Sequence, residues 1–131
     1  MVNDPIGDAL TRIRNAYLRG HNQVSIPYSK MISAIVKILE EENYIQDYEI
    51  TENDKGFKVL TIELLYFGKN PGIKSLKRIS RPGVRQYVGY KDIPRIIDGM
   101  GICILSTTKG VISGKRAKTE RIGGELLCSI Y

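Results

Sequence analysis

Apolar residues recur at helical spacing near the start of the chain, at Ile6, Ala9, Leu10, Ile13 and Tyr17. Asp4 followed by Pro5 predicts the helix start, an N-cap carboxylate and then a ring whose φ is already helical, and Gly20 supplies the stop. Asp8, Arg12, Asn15 and Arg19 fall on the opposite face. They read either as a solvated face with an Asp8–Arg12 pair or as phosphate contacts. Val24-Ser25-Ile26 alternates as a short strand ended by Pro27, and Ser29 caps a second helix with Met31, Ile32, Ile35, Val36, Ile38 and Leu39 on a wide apolar face. Its tail, Glu40-Glu41-Glu42, opposes the helix dipole, which argues that this end faces water and not a polyanion. Lys30, in the first turn, gains nothing from that dipole and is either an ordinary surface lysine or one placed for a partner. Residues 44–51 and 57–66 predict two strands around the turn Asn53-Asp54-Lys55-Gly56, with Leu60, Ile62 and Leu64 on one face. Asn70-Pro71-Gly72 then punctuates the chain. The pattern predicts α/β (α+β) architecture in two domains, 1–67 and 68–131, the first ordered helix, strand, helix, strand, strand.

The second half is mostly β with short helices. Ile73–Ser80 is strand-like but alternates poorly. Arg81-Pro82-Gly83-Val84-Arg85 predicts a type II turn, with Pro at its second position and Gly at its third, holding Arg81 and Arg85 on either side of a rigid bend. Tyr87 follows, either as a packing residue or as a ring that stacks on a base or sugar while the arginines pair with phosphate. Ile93–Met100 reads as a short helical segment and Ile102–Leu105 as a buried strand. Ser106-Thr107-Thr108-Lys109-Gly110 reads as a loop of three hydroxyls, a charge and a glycine that permits close approach. Those groups suit ribose 2′-hydroxyls and phosphates in a shallow RNA minor groove, although a plain polar loop has the same composition. Val111–Ile122 carries Lys115, Arg116, Lys118 and Arg121, a basic helical turn. A turn at Gly123-Gly124-Glu125 precedes a last buried strand, Leu126–Ile130. Its carboxylate either caps the turn or accepts from a base amino group or ribose hydroxyl.

Charge sharpens this division. Residues 1–65 hold seven Lys/Arg and ten Asp/Glu, a net −3, while residues 66–131 hold thirteen and four, a net +9. No acid stands between Glu63 and Asp92, where Lys69, Lys74, Lys77, Arg78, Arg81, Arg85 and Lys91 accumulate. Such a one-sided field either attracts a polyanion, for which nucleic acid is the commonest intracellular candidate, or is a basic surface kept for solubility, a reading that halves of opposite sign weaken. The N-terminal residues lack a secretory pattern, and no apolar run approaches the roughly 20 residues of a membrane helix. Cys103 and Cys128 lie in apolar runs without CxxC spacing and are expected as buried, reduced thiols.

Enzyme chemistry finds little support. His21 is the sole histidine, so a histidine metal cluster cannot be built, and a Cys103–His21 nucleophile pair would need a thiol lifted out of an apolar strand. No Walker loop, GxSxG or GxGxxG is present. No cofactor, metal or small-molecule substrate is expected. A free-standing nucleic-acid-binding regulator and an enzyme acting on an anionic ligand stand as the rival classes.

Ile104-Leu105-Ser106-Thr107-Thr108-Lys109-Gly110, followed by Gly123-Gly124-Glu125, resembles the S-eight family of small-ribosomal-subunit proteins. Asp4-Pro5-Ile6 with Leu10-Thr11-Arg12-Ile13-Arg14-Asn15 is similar to that family's opening helix. Ile79-Ser80-Arg81-Pro82-Gly83-Val84-Arg85 with Tyr87 is similar to its central turn, and Pro94 stands where it usually has Leu-Pro or Ile-Pro. The resemblance spans the whole chain. It implies two α/β domains in close contact, no enzymatic activity, and binding to the central domain of small-subunit ribosomal RNA beside neighbouring ribosomal proteins, early in assembly. It places Ser106, Thr107, Thr108, Lys109 and Gly110 in an RNA-gripping loop and Gly123, Gly124 and Glu125 in a second contact segment. Tyr87 adjoins that segment, and Lys30 is a candidate from the first domain. Some members also repress translation of their own messenger RNA. The expected location is the ribosome, in the cytoplasm or in the plastid stroma for a plastid-encoded copy. Three positions depart from the family's habit: Thr108 for Ser, Ile112-Ser113-Gly114 for Met-Thr-Asp, and Tyr131 for Trp. The second predicts a looser cap on the following helix.

Overall fold

The computed structural model describes residues 4–96 and 99–131. It is a mixed α/β protein in two units, residues 8–73 and residues 4–7 with 74–131.

In the first unit, helix α1 (Pro5–Leu18) contributes from residue 8 onward. It ends in paired bonds from Gly20 N–H to the Tyr17 carbonyl and His21 N–H to the Ala16 carbonyl. Gly20 takes φ +69°, so the stop rests on its freedom to turn left-handed. Strand β1 (Gln23–Pro27) leads to α2 (Lys30–Glu41), whose N-cap Ser29 accepts from Ile32 N–H at 3.1 Å. Strands β2 (Ile45–Glu52) and β3 (Lys58–Leu64) complete an antiparallel sheet in the order β1-β3-β2. Asn53 ties their turn, its Oδ1 accepting from the N–H groups of Lys55 and Phe57. Ile26, Leu60 and Ile62 from the sheet and Leu10, Ile13, Ile35 and Leu39 from the helices are fully buried. Tyr17 fastens the unit: its hydroxyl donates to the Tyr44 carbonyl at 2.8 Å and accepts from Leu65 N–H at 3.2 Å. Burial pushes its pKa up. A small hairpin, β4 (Tyr66–Phe67) and β5 (Asn70–Pro71), follows.

The second unit is built on β10 (Gly124–Ile130). One side of β10 pairs with β8 (Ile102–Thr107), which pairs in turn with β9 (Gly110–Ser113). Its other side pairs with β6 (Leu76–Arg78) at one end and β7 (Tyr87–Val88) at the other. Between Leu126 and Cys128 the register against β8 shifts by one, leaving Leu127 as a bulge. Its carbonyl is nonetheless satisfied, accepting from Ile79 N–H at 3.0 Å and from Arg78 Nη1 at 2.9 Å. The same Arg78 grips both oxygens of Asp4 at 3.3 Å, and Asp4 also lies against Gly7, where a Cβ would strike its carboxylate. Helix α3 (Gly114–Glu120) covers one sheet face, with Ile93, Cys103, Leu105, Ile112, Ala117 and Leu126 as the core beneath it.

Three expectations need correction. The segment 93–100 was expected to be helical, but a 3-10 turn comes earlier, at Tyr90–Asp92. Ile93 is extended, at φ −66° and ψ 122°, as the residue before a proline prefers, and Ile97 and Asp98 lie outside the described residues. Residues 111–113 are strand and not helix, because they pair with Ser106, Leu105 and Ile104 before α3 starts. The cap of α3 is not loose: Ser113 accepts from Arg116 N–H at 3.2 Å, and Gly114 packs where a Cβ would strike the Cys103 sulfur. Both cysteines are free and buried; burial raises the Cys103 thiol pKa and pushes that of Cys128 to about 12. Neither is an available nucleophile at neutral pH. No helix among the described residues is long and apolar enough to cross a membrane.

Candidate nucleic-acid interface

The hydroxyl run is a hairpin tip and not an open loop. Ser106 and Thr107 end β8, Thr108 and Lys109 make the turn, and Gly110 starts β9 opposite Thr107. Gly110 has φ +101° while neither turn residue has positive φ, the pattern of a tight turn closed by a glycine bulge. No atom lies within 4 Å of a Cβ built there, so the backbone conformation is what demands glycine. The Thr107 hydroxyl is committed inward, donating to the Gly110 carbonyl at 2.8 Å and accepting from Lys109 N–H at 3.1 Å. The hydroxyls of Ser106 and Thr108 have no partner among the described residues. Lys109 Nζ reaches Glu120 at 3.3 Å, and Arg116, one helical turn before Glu120, takes its other oxygen at 2.7 Å. These bonds from Arg116 and then Lys109 hold the Glu120 carboxyl below the usual carboxylate range.

Register places Tyr87, Glu125, Ser106 and Val111 directly opposite one another across β7, β10, β8 and β9, hence on one face. Tyr87 is 70% exposed, so it is no packing residue. Glu125 is held from below. Ser80, fully buried, donates to its Oε2 at 2.6 Å and accepts from Gln86 N–H at 3.1 Å, and Arg85 Nη1 donates to the same Oε2 at 2.8 Å. Burial is the largest single influence on the Glu125 pKa and raises it. The bonds from Ser80 and Arg85 and the charges of Arg85 and Arg78 together outweigh burial, and the net shift is downward. Arg85 is correspondingly raised by the Glu125 bond and charge.

The turn before this row has the geometry its sequence predicts. Gly83 stands at φ +92°, and Arg81 and Val84 exchange N–H to carbonyl bonds of 3.1 and 3.0 Å. Arg81 is exposed, whereas Arg85 is neutralised by Glu125. Gly123 and Gly124 have a structural cause: a Cβ on the first would strike the Val88 carbonyl, and one on the second the Ser106 carbonyl. Lys30 is not part of this unit; it opens α2 in the other. Ser80 and Glu120 escaped the sequence reading. The Arg116–Glu120 spacing was a visible signal for one; nothing local marks Ser80, whose partner is 45 residues away.

Fold and site define a small α/β protein whose basic unit presents a polar sheet row beside a cationic hairpin tip. The family model described as Ribosomal protein S8 matches residues 4–131. Small ribosomal subunit protein uS8 of Oleidesulfovibrio alaskensis is 53% identical over 131 residues, covering 100% of both chains. Those of Chloroflexus aurantiacus and Ruegeria pomeroyi are 50% identical over 131 residues and 48% over 130, covering 99% of this chain and 98% and 100% of theirs. The chain belongs to the ribosomal protein S8 family, whose members are structural proteins of the small ribosomal subunit and not enzymes.

Proposed function

We propose that the chain binds small-subunit ribosomal RNA directly, in the RNA's central domain, and supports assembly of the subunit beside neighbouring ribosomal proteins in the cytoplasm or plastid stroma. The observation that carries this is the row Tyr87–Glu125–Ser106. An exposed ring, a fixed acceptor and a free hydroxyl lie in line across three strands of the unit that holds most of the positive charge. The ring stacks on a base or sugar, the carboxylate accepts from a donor edge, and Ser106 and Thr108 meet ribose hydroxyls. Arg81, Lys109, Gly110 and the chain around Gly123 and Gly124 approach the phosphate backbone, and Lys30 adds a cation from the first unit.

The test measures the full chain on a structured small-subunit ribosomal RNA fragment and on the same fragment with 2′-deoxy sugars at the contacted positions. Wild type should lose affinity on the deoxy fragment and Thr108→Val should lose less, since its hydroxyl is already gone. Replacing Arg81, which holds no carboxylate in place among the described residues, by Ala should lower the salt slope by about one while preference among RNAs persists. Equal deoxy losses for wild type and Thr108→Val would remove the hydroxyl from recognition. Failure to prefer the structured RNA over duplex DNA of equal length would overturn the function.

A further inference from the structure

We propose that a groove on the first unit takes one unstacked nucleotide of RNA, a contact separate from the hairpin row. The inference rests on the reading that the chain works on RNA. The groove holds about 600 Å³ and is lined by Arg12, Ser25, Tyr28, Asn53, Phe57 and Lys58 among others, none of them acidic. That size lies in the range of small-ligand sites, about 300–1,000 Å³, and suits a nucleotide but no helical turn of duplex.

Phe57 is 66% exposed, an apolar ring left in water at the tip of the β2–β3 hairpin. Lys58 Nζ stands 5.4 Å from the Tyr28 ring centroid, and Tyr28 N–H donates to the Lys58 carbonyl at 3.2 Å, which fixes these two walls together. Arg12 makes no pair with Asp8 among the described residues, although the two are four apart on α1, and it lines the groove instead. Asn53 spends its oxygen on the turn, leaving its amide nitrogen as a donor. Residues 8–73 hold eight Lys/Arg and nine Asp/Glu, so two cations without an acid at one groove depart from the character of their own unit. Aromatic rings for a base, cations for its phosphate and an amide donor for its edge make up the chemistry of single-strand recognition. An acidic peptide would answer the cations but would have no flat partner for the rings.

The chain contains no tryptophan, so Phe57→Trp installs a single reporter in the groove of the full protein. Titration with tetra-adenylate at low salt should quench it saturably. Adding Arg12→Gln and Lys58→Gln should weaken that binding about tenfold and lower the salt slope by about 1.4, near 0.7 for each of the two lost phosphate contacts on a single strand. Phe57→Ala in an otherwise wild-type chain, followed through the Tyr28 and Lys58 amide resonances, should weaken binding by about tenfold through lost stacking. Absence of quenching in a protein that still binds structured ribosomal RNA would overturn the groove and leave the function standing, whereas loss of both would bring down the function as well. A quench indifferent to Arg12→Gln and Lys58→Gln, or one that appears only when other ribosomal proteins are added, would also overturn the proposal, the latter in favour of a protein occupant.

Discussion

Replacing Ser80 by Ala removes one buried hydroxyl with two duties. It donates to the Glu125 carboxylate at 2.6 Å, a charge-assisted bond worth about 1.5–3 kcal/mol, and accepts from Gln86 N–H at 3.1 Å, a neutral bond worth about 0.5–1.5 kcal/mol. Gln86 is exposed and recovers part of its loss from water, so the expected destabilisation at pH 7 is about 2–3 kcal/mol. Its dependence on pH identifies the cause. Glu125 titrates below its ordinary value in the folded chain, so its contribution is present above the unfolded pKa and is lost as pH falls through the folded one. Ser80→Ala removes one of the influences that oppose burial and therefore raises that pKa. The wild-type and variant stabilities should converge in acid, to a difference of about 1 kcal/mol once the carboxyl is protonated in both. Urea denaturation at pH 7 and at a pH low enough to protonate the carboxyl in both proteins measures the two differences. An equal penalty at both values, or one below about 0.5 kcal/mol at pH 7, would refute the assignment of Ser80 as the support of a charged Glu125.

Two further outcomes follow from backbone geometry. Thr107→Val keeps the shape of the hairpin tip but removes the bonds to Gly110 and Lys109, so the tip should lose about 1 kcal/mol and the Lys109 amide should exchange faster with deuterium; unchanged exchange would show that the hydroxyl does not lock the turn. Arg121 ends α3 in the left-handed region at φ +56°, where glycine fits without strain, so Arg121→Gly should stabilise the chain by up to about 1 kcal/mol in urea denaturation at high salt, and a loss of stability would contradict that geometry.

Much of the fold was legible because its signals are local. Asp4-Pro5 and Gly20 bracket α1, Ser29 caps α2, and the turns at 53–56 and 81–84 carry the residues their geometry needs. Errors arose where distant pairing overrode local pattern. Val111–Ser113 is drawn into a strand by β8, and the hydroxyl run is divided between a strand end and a turn. For the candidate residues, the residue types were legible but the local duties were not. Thr107 and Gly110 shape the tip, Gly123 and Gly124 clear space for carbonyls, and Arg85 serves Glu125. Those duties depend on partners that sequence spacing does not show, with Ser80 and Glu125 as the extreme case.

The bulge at Leu127 has a consequence for how this strand tolerates change. In an unbroken strand Glu125 would share a face with Leu127 and Ser129, and Cys128 and Ile130 would face with Leu126. The extra residue resets the phase, so Cys128 and Ile130 fall opposite Ile104 and Ile102 on the same face as Glu125. One face of β10 is therefore polar at one end and a sealed apolar wall at the other, with the phase change between them. Substitutions at Gly124 or Glu125 act on a segment whose alternation is insulated from the wall by Leu127. The polar end tolerates change while the apolar end keeps its register, whereas deleting one residue at the bulge would invert the wall and unfold the unit.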